Sequence, residues 1–349
     1  MTFILKKREK SADILLIYTG GTIGMVSDCR TQTLRAFNFD RLLDQVGEIH
    51  QLDCCIDLQS FVEPIDSSDI SPNHWIQLAE IIEKNYHQYD GFVVLHGSDT
   101  MAYSASVLSF MLENLSKPVI FTGSQLPIGA IRTDAKENLI TAIQLAAMRE
   151  GGAPLIQEVG LYFANKLLRA NRSTKINTAY FEAFASLHFP PLVEAGIHLE
   201  VNRSALLRNR KALVVNKELD TRIALVKFFP GINPTFLEPI FVDTAVKGVL
   251  LETYGSGNAT TEKWFLKLLK KGLDRGLKIV NVSQCIGGSV ELGRYETSRY
   301  MKALGIVSGC DMTTESALAK MMLLLPRCDS VAAFKKEFER SMVGELSLN

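Results

Sequence analysis

The sequence has no excess of either charge, no long apolar run and no paired-cysteine motif. Its 38 lysines and arginines balance 38 aspartates and glutamates, so no net charge attracts nucleic acid or an anionic membrane. No segment approaches the ~20 consecutive apolar residues that a membrane-spanning helix needs. We therefore expect neither a nucleic acid nor a membrane as partner, and the balance favours recognition of a small molecule.

The start of the chain lacks the pattern of a secretory signal, because it turns charged after five residues instead of entering a longer apolar run. The cysteines form no CxxC motif and, in a chain of this length, do not predict a disulfide framework. We expect a soluble cytoplasmic protein with free thiols. The six cysteines are Cys29, Cys54, Cys55, Cys285, Cys310 and Cys328.

The first half of the chain alternates short β-branched runs with segments whose apolar residues recur every three or four positions. This alternation predicts a parallel sheet with helices on both faces. The predicted strands are Asp13–Tyr18, Ile56–Val62, Gly91–Leu95, Pro118–Phe121 and Val159–Phe163. The predicted helices are one that begins at Pro72 behind the N-cap Ser71, then Ala102–Leu112 and Ala135–Met148.

The alternation weakens and charge rises between about residues 195 and 221, which favours a linker that can include a hairpin. We expect an N-terminal catalytic α/β domain over residues 1–200, a linker over 201–222 and a smaller C-terminal α/β domain over 223–349. The predicted strands of the second domain are Ile223–Lys227, Gly248–Leu251 and Lys278–Val282, and its helices are Lys263–Arg275, Thr314–Leu324 and Ser330–Ser341.

Small polar residues follow four of the predicted strands, at the edge of a parallel sheet where ligands bind. These segments offer hydroxyls, carboxylates and close-approaching backbone N–H groups around one cleft. They are Thr19–Gly24 (TGGTIG), Asp66–Asp69 (DSSD), His96–Thr100 (HGSDT) and Thr122–Gln125 (TGSQ).

Several common sites do not fit these segments. TGGTIG is neither GxGxxG nor GxxxxGK[ST], which disfavours a nucleotide site. HGSDT has no second ligand at metal-binding spacing, and GxSxG is absent from the chain. Asp66, Asp69 and Asp99 each precede a predicted helix and suit capping. For Asp69 we predict capping, and for Asp99 both capping and a functional role stay open.

The segment Lys166–Lys175 (KLLRANRSTK) carries positive charge at every third position. One interpretation is a solvated basic face. The alternative is that one lysine enters the cleft, where burial can lower its pKa enough for base catalysis.

Taken together, the motifs resemble the bacterial-type L-asparaginases, and within them the cytosolic type I branch. The resemblance runs from about residue 13 to the C-terminus. It rests on TGGTIG, DSSDISP, HGSDTMAYSASVLSFMLENLSKPVIFTGSQLPI, NRSTK and YGSGNA.

The resemblance implies a flavodoxin-like N-terminal domain, a smaller α/β C-terminal domain and homodimers that pair into tetramers. It implies hydrolysis of L-asparagine to aspartate and ammonia without cofactor or metal. By motif position Thr22 is the nucleophile, and Ser98, Asp99 and Lys175 form the second catalytic group. An unaided threonine needs an adjacent base, and Lys175 beside Ser98 can relay the proton while Asp99 orients it.

The same resemblance assigns the substrate-binding residues. Ser67, Ser68 and Asp99 are expected to hold the α-groups of the substrate, and Asn258 is expected to reach the site of a neighbouring subunit. Backbone N–H groups around Gly21 or Gly97 are candidate donors to the tetrahedral intermediate.

Three departures from the family pattern matter. Ser98 stands where the family usually has threonine, which keeps the hydroxyl but frees its rotamer. The lid segment Met25–Asp40 has no tyrosine, with Thr33 or Leu34 near the expected place. Glu252, in a region that also holds Cys285, replaces an arginine that binds a regulatory asparagine in some type I enzymes. We hypothesise that this allostery is lost or altered.

Three alternatives remain beside an asparaginase. A glutaminase or mixed amidase differs by one methylene in the substrate, which sequence does not resolve. An amidotransferase subunit acting on tRNA is disfavoured by the neutral charge. A sensor that kept the pocket and lost catalysis is disfavoured by the retention of Thr22, Asp99 and Lys175.

Overall fold

The computed structural model describes residues 12–27, 34–36 and 46–347. Of the positions expected to replace the lid tyrosine, Thr33 and the side chain of Leu34 lie outside these residues. Within the described ranges, no helix is long and apolar enough to cross a membrane.

Strands and helices alternate through both halves of the described chain. The strands are β1 (Ala12–Tyr18), β2 (Met25–Ser27), β3 (Leu34–Ala36), β4 (Cys54–Ser60), β5 (Gly91–Leu95), β6 (Leu112–Glu113), β7 (Val119–Thr122), β8 (Arg149–Glu150), β9 (Ala153–Pro154), β10 (Val159–Phe163), β11 (Lys166–Arg169), β12 (Thr174–Lys175), β13 (Phe184–Ala185), β14 (Val193–Ala195), β15 (Leu199–Val201), β16 (Val214–Val215), β17 (Ile223–Lys227), β18 (Gly248–Thr253), β19 (Lys278–Ser283) and β20 (Val307–Ser308). The helices are α1 (Pro72–Asn85), α2 (Met101–Met111), α3 (Ala135–Ala147), α4 (Pro234–Val242), α5 (Lys263–Asp274), α6 (Glu296–Leu304), α7 (Thr314–Leu324) and α8 (Val331–Phe338).

The main sheet of the N-terminal half has the order β15-β14-β11-β10-β7-β5-β1-β4 among the described strands. Strands β4, β1, β5, β7 and β10 are parallel. In chain order these five read 2-1-3-4-5, which is the flavodoxin-like order. The expected flavodoxin-like domain is confirmed. The order reverses between β1 and β5, so the ligand-binding crevice is expected beyond the ends of these two strands.

Strand β1 shows why the sheet is covered on both faces. Successive side chains of a strand point to opposite sides. Leu15 and Ile17 pack in one core with α1 and α2, whereas Ile14 and Leu16 pack in another with α3. The prediction of helices on both faces is confirmed.

Strands β11, β14 and β15 extend the parallel sheet with antiparallel pairings. A hairpin was expected between about residues 195 and 221, and the hairpin of β14 and β15 lies at the start of that range. The predicted end of the second strand is wrong: β4 stops at Ser60, and Val62 is 96% exposed. The chain leaves the sheet there, since the N–H of Phe61 donates its last ladder bond to Tyr18 O at 2.9 Å.

The smaller C-terminal domain is built on the parallel sheet β17-β18-β19-β20. Helices α4, α5 and α6 cover one face, and α7 and α8 cover the other. The predicted second α/β domain is confirmed. Helix α4 was missed because Pro239 lies inside it, although Asn233 caps it by accepting a bond from the N–H of Thr235.

Candidate active site

Three of the four polar loops meet beyond the ends of β1, β4 and β5. The N–H of Ile65 donates to Thr19 O at 2.8 Å. A Cβ on Gly20 would come within 2.2 Å of Ile65 O, one on Gly21 within 2.6 Å of Gly97 Cα, and one on Gly97 within 2.6 Å of the Ser67 side chain. Backbone approach of this kind needs glycine. The crevice at the topological switch point is therefore lined by these segments.

The two threonines of TGGT have different surroundings. The Thr19 hydroxyl donates to Leu95 O at 2.9 Å and joins β1 to β5. Thr22 begins a short 3₁₀ helix over Thr22–Gly24. It directly follows Gly21, whose φ of 93° is a backbone conformation that glycine adopts readily. No hydrogen bond among the described residues connects Thr22 with Ser98 or Lys175. Thr22 follows the glycine that contacts Gly97 at the edge of the crevice, whereas the Thr19 hydroxyl is committed to the backbone.

The structure brings Ser98, Asp99 and Lys175 together. The Lys175 ammonium donates to Ser98 Oγ at 2.9 Å and to Asp99 Oδ1 at 2.5 Å. The lysine side chain is 14% exposed and the aspartate 65%. The Ser98 hydroxyl in turn donates to Gln125 Oε1 at 3.3 Å. A lysine, a hydroxyl and a carboxylate in mutual contact can move a proton and stabilise developing charge.

Gln125, from the fourth polar loop, had no role assigned from the sequence. Its side-chain amide donates to Tyr180 O at 3.0 Å, which turns the amide oxygen toward Ser98. Its backbone N–H is held by the carboxylate of Asp134. The position of Gln125 directly after a strand was the only available sequence signal.

The basic segment of Lys166–Lys175 does not form a solvated face. Arg169 is buried and pairs with Glu158 at 2.5 Å, and Arg172 is buried and pairs with Asp311. Only Lys175 reaches the crevice. This arrangement matches the interpretation that one lysine of the segment enters the cleft.

The DSSD loop packs against the HGSDT loop. Ser67 is buried, and its carbonyl oxygen accepts a bond from the Thr100 hydroxyl at 2.7 Å. Asp66 accepts from both the hydroxyl and the N–H of Ser68, and these bonds lower the pKa of the Asp66 carboxyl. Ser67 and Ser68 therefore stand beside Gly97, at the rim of the crevice.

The capping expectations are only partly correct. Asp66 caps the short 3₁₀ helix over Ser67–Asp69. The prediction for Asp69 is wrong, because Ser71 is the N-cap of α1. Thr100, not Asp99, is the N-cap of α2, which leaves Asp99 available to Lys175.

His96 lies beneath the HGSDT loop and is 1% exposed. Burial lowers its pKa to about 4, so the ring is neutral. Its Nδ1 lies 2.7 Å from Gly97 O and must donate there, and its buried Nε2 has no hydrogen-bond partner among the residues that the structure describes. No group of three or more His, Cys, Asp or Glu side chains in the described ranges is placed to hold a metal ion.

Asn258 lies in the C-terminal domain, where its Oδ1 accepts from the Thr297 hydroxyl at 2.7 Å. No hydrogen bond links it to the crevice within the described part of a single chain. One chain therefore brings together all the expected site residues except Asn258.

The comparisons with known proteins agree along almost the whole chain. Residues 13–207 match the family described as asparaginase, N-terminal, and residues 222–338 match the glutaminase/asparaginase C-terminal domain. The chain is 40% identical over 336 residues to L-asparaginase 1 of Escherichia coli (strain K12), covering 96% of this chain and 98% of the relative. It is 39% identical over 360 residues to the 60 kDa lysophospholipase of Mus musculus, covering 96% of this chain and 62% of that protein.

A solved structure gives the same result for the fold. L-asparaginase I of Vibrio cholerae O1 biovar eltor matches with a TM-score of 0.88 and 38% identity, over 97% of this chain and 100% of that one. The family models and these relatives identify the protein as an enzyme of the amidohydrolase class. The chain belongs to the asparaginase family, and the resemblance inferred from the motifs is confirmed.

Proposed function

We propose that the protein hydrolyses L-asparagine to L-aspartate and ammonia in the cytoplasm, with Thr22 as nucleophile and without cofactor or metal. The observation that carries the proposal is the contact of Lys175 with both Ser98 and Asp99, beside the turn that presents Thr22. The relative named L-asparaginase 1 supports asparagine as substrate.

In the proposed first step, the Thr22 oxygen attacks the side-chain amide carbon of asparagine. A carbon–oxygen bond forms, and the carbonyl electrons move onto its oxygen. The threonine proton passes to neutral Lys175, with Ser98 as the relay. The N–H groups of Gly21 and Gly97 are candidate donors to the oxyanion, and one such donor is worth about 10²–10³ in rate.

Collapse of the tetrahedral intermediate breaks the carbon–nitrogen bond, and ammonia leaves with the proton returned through Lys175. Water then attacks the acyl-threonine, the same groups remove its proton, and the threonine oxygen takes a proton as aspartate is released. Asp99 pairs with Lys175 through one oxygen, which keeps the ammonium oriented when it is charged.

Substrate binding uses the rim of the crevice in this proposal. Asp99 is well exposed despite its pairing and offers its second oxygen to the substrate α-ammonium. Ser67 offers its hydroxyl to the α-carboxylate, and Ser68 contributes once its hydroxyl and N–H, which donate to Asp66 in this structure, turn to the substrate. Asn258 of a neighbouring subunit completes the site, so we expect a homodimer or homotetramer. We also propose that residues 201–222 form the linker between the two domains.

The test is ammonia release from L-asparagine and L-glutamine over a wide concentration range. Thr22→Ala should lower kcat by about 10⁶-fold, the size of effect that loss of the serine nucleophile has in a serine hydrolase. Thr19→Ala is the matched control, because it removes the other threonine of the same turn and should mainly lower stability. Full turnover by Thr22→Ala would refute the nucleophile.

The same data separate the alternatives. Faster turnover of glutamine than of asparagine would make the protein a glutaminase, a difference of ~1–3 kcal/mol in the pocket. Binding of asparagine by calorimetry with no turnover by the wild type would make it a sensor. Mixing Thr22→Ala with Asn258→Ala tests the shared site, since only a mixed oligomer regains activity.

A further inference from the structure

Lys175 does not belong to the main sheet that supports the rest of the site. It lies on the two-residue strand β12, which among the described strands pairs with β13 alone, through Thr174–Ala185 and Lys175–Phe184. Its position therefore depends on what holds the segment Ala170–Lys175. The carboxylates of Asp311 and Glu315, in the C-terminal domain, hold this segment.

The first contact is made by Asp311. The Arg172 guanidinium is 2% exposed and lies 2.9 Å from Asp311 Oδ2. Its Nε donates to Gly344 O, also at 2.9 Å. Asp311 is itself fixed by the N–H and hydroxyl of Ser347, at 2.9 and 2.6 Å. Arg172 is thus locked to the C-terminal domain three residues before Lys175.

The second contact is made by Glu315, in the first turn of α7. Its Oε1 accepts a bond from the Thr174 hydroxyl at 2.6 Å, and the residue is 8% exposed. Successive residues of a strand point to opposite sides. Thr174 therefore faces the C-terminal domain while Lys175 faces Ser98.

Buried carboxylates are costly unless they are paired and hydrogen-bonded. Burial raises the pKa of Glu315, which shows that the pocket disfavours its charge. Asp311 and Glu315 are four residues apart, and they hold Arg172 and Thr174, two residues apart. We propose that Asp311 and Glu315 are positioning residues, which keep Lys175 in contact with Ser98 and Asp99 from the other domain of the same chain.

This inference rests on the proposed role of Lys175 as the group that accepts the Thr22 proton through Ser98. A misplacement of about 1 Å at a catalytic group can cost 10²-fold in rate. Releasing Thr174 should therefore lower kcat by about 10-fold or more. KM should change less than kcat, because Ser67 and Ser68, which are proposed to bind the α-carboxylate, are not touched, although Asp99 loses part of its pairing with Lys175.

Thr174→Val is the informative variant, since it keeps the β-branched shape and removes the hydroxyl. Thr174→Ser restores the hydroxyl and should restore kcat. Thr314→Val is the matched control: the Thr314 hydroxyl donates to Glu252 Oε1 at the same 2.6 Å, but this bond lies within the C-terminal domain and does not hold the segment that carries Lys175. We expect similar urea midpoints for both valine variants and a fall in kcat only for Thr174→Val.

The inference is overturned if kcat falls equally in the two valine variants. It is also overturned if Thr174→Ser does not restore kcat. If Thr174→Val does not fold, Asp311→Asn is judged by the same split between kcat and KM. Lys175→Met separates the two hypotheses. Full activity of Lys175→Met refutes the proposed function, whereas an inactive Lys175→Met with unimpaired Thr174→Val refutes the positioning role alone.

Discussion

Gly21 and Gly97 are in backbone contact across the switch point of the main sheet. A Cβ placed on Gly21 would lie 2.6 Å from both the Cα and the N of Gly97. The contact joins the turn that presents Thr22 to the loop that carries Ser98 and Asp99. The distance between the proposed nucleophile and its relay is therefore set by two residues that have no side chain.

Gly97→Ala is expected to lower kcat/KM by at least about 10²-fold, because the new methyl would lie 2.6 Å from the Ser67 Cβ and force the two loops apart. Gly129→Ala is the control, since a Cβ there meets no atom of the described residues within 4 Å. Steady-state rates of both variants check the prediction. Equal activities would show that the loops can separate without loss.

His96 should make the protein less stable at mildly acidic pH. Its pKa is about 4 when folded, against an ordinary 6.5. Between these values the unfolded chain binds a proton that the folded chain does not, so the free energy of unfolding falls as the pH drops. Above about pH 7 the histidine is neutral in both states and this effect vanishes.

Urea unfolding of wild type and His96→Gln at about pH 7.5 and 5 measures this contribution. The midpoint should fall less on acidification in His96→Gln than in the wild type. His50→Gln, at an exposed histidine, should behave as the wild type does. An unchanged pH dependence in His96→Gln would assign the acid sensitivity to other groups.

The fold was largely predictable because its strands carry strong local patterns. β1 is buried on both faces and reads as a short apolar run, and α7 has the predicted bounds of Thr314–Leu324. The antiparallel strands β11, β14 and β15 were not predicted as part of the main sheet. Their residues include Lys166, Arg169 and Glu194. Such charges indicate a surface segment. Lys166 and Glu194 are exposed, whereas Arg169 is buried through its pairing with Glu158.

The site was predictable where one loop carries the signal. Glycine-rich turns and hydroxyls after strand ends pointed to Thr22, Ser98 and Asp99. The residues that hold Lys175 were not predictable, because Asp311 and Glu315 lie more than 130 positions away in the chain and meet Arg172 and Thr174 only after the domains pack. A single sequence gives no signal for such pairing.

Glu252 should prevent cooperative activation by asparagine. Its Oε1 accepts from the Thr314 hydroxyl, and its Oε2 pairs with Lys227 at 3.2 Å. A carboxylate in this place repels the α-carboxylate of a second asparagine. We expect a hyperbolic dependence of rate on asparagine concentration, in both the wild type and Glu252→Ala. A sigmoidal wild-type curve that Glu252→Ala abolishes would contradict the hypothesis.

The buried pair of Lys320 and Glu345 should be the most sensitive ion pair for stability. Both side chains are 0% exposed. Lys320 also donates to two carbonyl oxygens at the end of α8, and Glu345 accepts from the N–H groups of Met342 and Val343. Lys320→Met leaves the carboxylate buried without its counter-charge, so the free energy of unfolding should fall by about 3–5 kcal/mol.

The exposed pair of Lys270 and Asp274, four residues apart on α5, is the control. Lys270→Met should cost only about 0.3–0.5 kcal/mol in urea unfolding, because solvent screens an exposed pair. The double variant Lys320→Met/Glu345→Gln should regain part of the loss, since it keeps an acceptor for the two N–H groups and leaves no buried charge. If Lys320→Met costs no more than Lys270→Met, Glu345 finds another partner or takes up a proton in the folded state.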